Sequence, residues 1–106
     1  MSFNGSEGES ISKQNAADMT RTYREENPGT RKAHFFGKVI IENILGQEGC
    51  MGIRIYYGID SQQNLQLLVV GANANEDDQL GTAETIADLS VPCPNNCGVA
   101  NDLNGN

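Results

Sequence analysis

Two apolar runs joined by a short polar link constrain this chain more than any other feature. Met51-Gly52-Ile53-Arg54-Ile55-Tyr56-Tyr57-Gly58-Ile59 is rich in β-branched and aromatic residues, and Leu65-Gln66-Leu67-Leu68-Val69-Val70-Gly71 follows after the polar stretch Asp60 to Asn64. Side chains of this kind fit a pleated, half-buried surface, and so short a link between them makes an antiparallel hairpin, about 51–59 paired with 65–72. Alternation sends Ile53, Ile55 and Tyr57 to one face and Arg54 and Tyr56 to the other. The second run is apolar on both faces. It is therefore expected in a central position, with helices on one side and a partner on the other.

The rest of the pattern supplies those helices. Ser10 or Ser12 is a competent N-cap for a helix running to about Glu26, with Ala16, Met19 and Tyr23 on one stripe. Asn27-Pro28-Gly29 ends it, because the residue before proline is pushed out of the helical region. Lys32-Ala33-His34-Phe35-Phe36 reads as extended. Gly37 then separates it from a second helix, about Lys38 to Leu45, whose Ile40, Ile41, Ile44 and Leu45 make a broad apolar face. A single helix from Arg31 to Leu45 is the alternative, at a cost of about 1 kcal/mol for Gly37 in its interior. Thr85 to Val91 is expected as an edge strand stopped by Pro92 and Pro94. The fold class is α+β: two N-terminal helices packed on a small antiparallel sheet built around the hairpin, with an irregular C-terminus. One domain is expected over 10–97, preceded by a disordered or arm-like lead at 1–9 and followed by a polar tail at 98–106.

Length and charge narrow the function classes. A chain of 106 residues buries a real core without metal or disulfides. The formal charge is −7, and from Ile55 onward there are acids and no Lys or Arg. Phosphate binding draws on Lys and Arg clusters, so nucleic acid is not an expected partner. No apolar run approaches the ~20 residues that span a bilayer, so no membrane is expected either. The first residues lack the basic start and apolar stretch of a secretory signal, which sets a cytoplasmic expectation, with export by a non-classical route as the alternative.

Thiol or transition-metal chemistry would fall to Cys50, Cys93, Cys97 and His34. Together they would form a Cys₃His zinc set, yet His34 and Cys50 flank the second helix, and eight helical residues span ~12 Å. Cys93-Pro94-Asn95-Asn96-Cys97 is also a disulfide candidate, since Cα atoms four residues apart can reach the required separation when the loop bends. Its three intervening residues and its context differ from a thioredoxin-type pair. A second cation candidate is calcium. Asn73, Asn75, Asp77 and Glu84 occupy positions 1, 3, 5 and 12 of an EF-hand-like loop, although position 1 is Asn and position 6 is Asp78 where glycine is wanted. No GxSxG and no phosphate-cradling glycine loop is present, and His34 beside Phe35 and Phe36 reads as a core-edge histidine, so no enzyme is expected.

The stretches Lys32-Ala33-His34-Phe35-Phe36-Gly37, Gly49-Cys50-Met51-Gly52-Ile53-Arg54-Ile55-Tyr56-Tyr57-Gly58 and Pro92-Cys93-Pro94-Asn95-Asn96-Cys97 resemble a group of small uncharacterised proteins from Bacteroidota. The resemblance covers about residues 10 to 97 and implies a bacterial, single-domain protein. The group has no assigned activity, so no functional residue is carried over. The expectation for function is a small acidic interaction protein that forms a homo-oligomer or docks into a larger assembly with a protein partner, using Tyr56, Leu68 and Val70 on the hairpin's second face. The alternative is a metal-binding or small-ligand domain built on Cys50, Cys93 and Cys97, with His34.

Overall fold

A computed structural model describes residues 2–105; Met1 and Asn106, the outermost residues of the expected lead and tail, lie outside the described residues. The architecture is α+β, in the order α1 (Lys13–Glu26), β1 (Ala33–Phe35), α2 (Lys38–Leu45), β2 (Cys50–Ile59), β3 (Leu65–Asn73) and β4 (Val91–Cys93). These elements fall into two compact units. One comprises residues up to Gly8 together with Phe36–Ser90, and the other Glu9–Phe35 together with Val91 onward.

In the first unit, β2 and β3 form the expected hairpin, with Ile55 opposite Val69, Tyr56 opposite Leu68 and a bulge between Cys50 and Gly52. Asp60 builds the turn. Its Oδ1 accepts from the backbone N–H groups of Gln62 and Asn64, each at 2.9 Å, and its Oδ2 accepts from Gln66 Nε2 at 3.0 Å. The far edge of β3 is covered by two short returns of the chain, since Ala87 pairs with Val69 and Asp78 with Ala72. Thr85–Val91 thus meets β3 through one bridging residue and does not form the strand expected there. β3 is central, as its two-sided apolar pattern implies, and β2 is an edge.

α2 matches its expected limits and lies over the hairpin. Ile44, Val69 and Ala87 form the buried centre, with Phe36, Ile40, Ile41 and Cys50 packed against it. Full burial of an aliphatic side chain such as Ile44 contributes about 1.5–3 kcal/mol. Beside this core two glutamines form a closed amide network. Gln47 Nε2 donates to Gln79 Oε1 at 3.0 Å, Gln79 Nε2 to the Glu48 carbonyl at 2.9 Å, and the Thr85 N–H to Gln47 Oε1 at 2.7 Å. Gln79 is buried. The network presses against Gly71, where a Cβ would lie 2.9 Å from Gln47 Nε2 and 3.0 Å from Cys50 Sγ, so a side chain at that point of β3 would displace it. The lead is ordered on this unit as well: the Phe3 N–H donates to the Ala74 carbonyl at 3.0 Å, and the Arg54 guanidinium stands 5.4 Å from the centre of the Phe3 ring.

In the second unit, Ser12 caps α1, its Oγ accepting from the Asn15 N–H at 3.0 Å. The enclosed side of α1 differs from the expected stripe. Ala17 is buried and Thr20 and Arg24 are half-buried, whereas Met19 and Tyr23 are exposed. The reason is the C-terminal segment, whose Leu103 carbonyl accepts from Arg24 Nη1 at 2.7 Å while Asp102 pairs with Lys13 at 3.3 Å. β1 pairs antiparallel with β4, with His34 opposite Pro92. Pro92 was expected to stop a strand, but it sits inside one, as proline can where a two-stranded sheet leaves its other edge open. The hairpin is thus covered by α2, and α1 belongs to the second unit.

Candidate functional site

An open apolar surface of the first unit lies along the outer edge of β2. Among the described residues β2 has β3 as its only neighbour in the sheet. An edge strand presents unpaired backbone N–H and C=O groups, and proteins guard such edges with charges, prolines or bulges. Here the bulge lies at the start, between Cys50 and Gly52, and the charged residue within β2 is Arg54, which is held inward by Asp78. Beyond it the face carrying odd-numbered residues is apolar and open: Ile53 is 40% exposed, Ile55 49%, Tyr57 84% and Ile59 63%. Their partners on β3 show why. Val69, opposite Ile55, is 1% exposed because the core covers it. Coverage reaches the start of β2, where Cys50 packs on the core, and leaves Ile53, Ile55, Tyr57 and Ile59 open.

The opposite face is more polar, and Tyr56 on it is 44% exposed. Arg54 Nη1 donates to Asp78 Oδ1 at 2.6 Å and to the Glu76 carbonyl at 3.2 Å, and the Tyr56 hydroxyl donates to Asp78 Oδ2. Asp78 is held below the usual carboxylate range by the Tyr56 hydroxyl first and then by Arg54, while the same hydrogen bond to Asp78 pushes the Tyr56 phenol up. Of the expected interaction residues, Val70 is 3% exposed, Leu68 is half-buried, and Tyr56 is 44% exposed with its hydroxyl bound to Asp78. The larger run of exposed apolar side chains is on the other face and the edge, carried by Ile53, Ile55, Tyr57 and Ile59. A groove of about 310 Å³ runs beside the start of β2, lined among others by Phe3, Gly5, Met51, Gly52 and Arg54.

The second unit holds the cysteine pair. Cys93 and Cys97 are joined by a disulfide, with Cα atoms 4.7 Å apart. Bonded sulfurs are not thiolate ligands, so in this state the pair contributes nothing to a zinc set. Cys50, the free cysteine, belongs to the first unit, where its thiol donates to the Gly52 carbonyl at 3.2 Å and its side chain packs on the core. His34 is half-buried on β1, with its pKa lowered by burial and by the nearby Arg31 charge, so the neutral ring fits the fold. Among the described residues no three of His, Cys, Asp and Glu gather as a metal-ion set.

The calcium-like loop is likewise folded on itself. Asn73 Oδ1 accepts from the Asn75 and Asp77 N–H groups at 2.9 and 3.1 Å, and Glu84 Oε1 accepts from the Gly81 N–H at 2.8 Å. These oxygens serve turns, and Asp78 at position 6 serves Arg54 and Tyr56. Among the described residues no helix is long and apolar enough to cross a membrane. Comparison of the chain with protein-family models, with curated proteins and with solved structures finds no match in any of the three.

Proposed function

We propose that the protein is a non-enzymatic assembly module whose first unit pairs with a second copy of itself, edge to edge, through β2. The observation that carries this reading is the unguarded strand Ile53–Ile59 with four exposed apolar side chains on one face. An antiparallel pairing of β2 with its own copy is self-complementary. If residue i meets residue j, then j meets i, and any two-fold axis through a residue of the strand sets odd-numbered positions against odd-numbered ones. Ile53, Ile55, Tyr57 and Ile59 would then form one apolar face across both copies in a continuous four-stranded sheet, and Tyr57 would supply the aromatic anchor typical of an interface centre. Charge favours the same edge. All of the net −7 falls in the first unit, since its basic residues are Lys38 and Arg54 against nine acids, but β2 itself carries no acid. Two copies can meet along β2 without opposing carboxylates in the strand.

Light scattering on the purified chain and on Ile55→Lys and Tyr57→Lys variants tests the reading. A dimer that becomes monomeric in both variants, with Val39→Lys on the exposed side of α2 as a control that stays dimeric, supports it. A chain that is monomeric at every concentration, or a dimer indifferent to both substitutions, refutes it.

A further inference from the structure

The hairpin ladder fixes which backbone groups of β2 face outward. The Val69 N–H donates to the Ala87 carbonyl at 3.0 Å and its carbonyl accepts from the Ala87 N–H at 2.8 Å, while the Gly71 carbonyl accepts from the Gln79 N–H at 2.9 Å. Both residues of β3 thus bond away from β2. In an antiparallel pair a residue opposite one that bonds away does the same, so Ile55 and Ile53, opposite Val69 and Gly71, aim their N–H and C=O groups at the open edge. The turn agrees: the Asp60 N–H donates to the Asn64 carbonyl at 3.0 Å, which makes the even-numbered residues the inward-bonding set. Alternation gives Tyr57 and Ile59 the same outward direction. Edge donors, edge acceptors and exposed apolar side chains therefore fall on the same residues, Ile53, Ile55, Tyr57 and Ile59. The set has a stop at each end. Met51 falls in the bulge between Cys50 and Gly52, and the lead lies against it, since a Cβ on Gly5 would stand 3.4 Å from the Met51 carbonyl. Beyond Ile59 the chain enters the turn at Asp60.

We infer that two copies of β2 pair in one register about a two-fold axis at Tyr56, with Ile53 opposite Ile59 and Ile55 opposite Tyr57 of the second copy, and that the assembly closes at two copies. The inference rests on the edge pairing proposed above and adds its register and its stoichiometry. Outward groups must meet outward groups, which restricts the axis to positions that set odd-numbered residues against odd-numbered ones. Moving it to Ile55 puts Ile59 opposite the bulged Met51, and moving it to Tyr57 puts Ile53 opposite Ser61 in the turn. Only the axis at Tyr56 gives each of the outward residues a regular partner from the same set. Arg54 then faces Gly58, so no like charges oppose each other within β2. The far edge of β3 is already occupied at Val69 and Gly71, and at Asn73, whose N–H donates to the Asp77 carbonyl at 3.0 Å. Once the two β2 edges have paired, no open edge of comparable length is left for a third copy.

Ile55→Cys and Tyr57→Cys chains, each alone and mixed in equal amounts, test the register under mild oxidation, with the linked peptides located by mass. Opposite residues of a hydrogen-bonded pair have Cα atoms about 5.5 Å apart, within disulfide reach. Identical residues in this register lie one strand spacing across and two residues along, about 8 Å apart, and cannot be bridged. The expected result is a 55–57 link in the mixture, in up to about half of the dimers as the statistical share of mixed pairs, and no link in either variant alone. Mixed-label NMR of the unmodified chain reads the same register without a substitution, and decides it where a cysteine weakens the pairing. Tyr56 faces its own copy as a non-hydrogen-bonded pair, so its Hα should contact the Hα of the second copy's Tyr56. A 55–55 or 57–57 link, a dimeric chain without that Tyr56 contact, or assemblies larger than a dimer overturn the inference while leaving edge pairing in place. A chain that is monomeric at every concentration overturns the edge pairing as well.

Discussion

Single side chains decide how the first unit closes. The Gln47–Gln79 amide network joins the end of α2, β3 and the residues at 79 and 85, and every hydrogen bond in it is buried or half-buried. Removing one amide leaves the others without partners, at a cost of about 1–3 kcal/mol per stranded buried group. Gln79→Ala is therefore expected to lower unfolding stability by about 2–4 kcal/mol in a denaturant titration, whereas Gln62→Ala in the exposed turn changes little. Tyr56 and Asp78 give a pH signature. Asp78 ionises more readily in the fold than in the unfolded chain, so its contribution is complete above the ordinary aspartate value of about 3.9 and disappears as pH falls through the lower folded value. Tyr56 has the opposite sign: its contribution is complete below about 10 and is lost as pH rises through the higher folded value. Tyr56→Phe should flatten the alkaline limb of stability against pH and shift the acid limb toward higher pH, because it removes the largest influence holding Asp78 ionised. Asp78 could be read in the sequence as an acid in a loop. Its pairing across 24 residues with Arg54 could not, because no local pattern encodes that contact.

At the level of elements, local signals were legible and long-range pairing was not. The limits of α2 follow from Gly37, the isoleucines and Gly46, and those of the hairpin from two β-rich runs about a polar turn; each depends on neighbours in sequence. β1 and β4 are three residues each and meet across more than half the length of the chain. Neither carries an alternating pattern, and proline in β4 argues locally against a strand. The exposed apolar face differs from the one the sequence pattern singles out through Tyr56, Leu68 and Val70. Ile53, Ile55 and Tyr57 share one face by alternation, and the covering helix has eight residues, about 12 Å, against a ten-residue strand of about 33 Å. A helix of that length cannot shield the strand, and the exposed remainder is the candidate site. Isotope-labelled amides of 53–59 should exchange with solvent more slowly as protein concentration rises, since pairing with a second copy protects the outward N–H groups. Protection independent of concentration would remove the edge from consideration.

For the molecule as a whole, charge discriminates between occupants of that edge. The first unit carries the full −7 and the second is balanced, a division hidden in the linear order because residues up to Gly8 and the segment Phe36–Ser90 share one unit. Two copies of an acidic unit repel one another, and salt screens that repulsion over about 10 Å at 0.1 M. Self-association is expected to tighten between low and moderate salt, by sedimentation equilibrium. A basic partner on the same surface would instead weaken as salt rises. The short disulfide loop adds little to global stability, about 2 kcal/mol on a chain-entropy scale for so small a ring, so its reduction is expected to leave the β2 edge and its assembly unchanged.

If β2 pairs with its own copy, the chain is a dimer and a charge on the strand separates it. Light scattering of the unmodified chain beside Ile55→Lys tests it most directly. The expected mass is near twice 11.4 kDa for the former and near 11.4 kDa for the latter, with matching circular dichroism. A monomer in both, or a dimer in both, would contradict it.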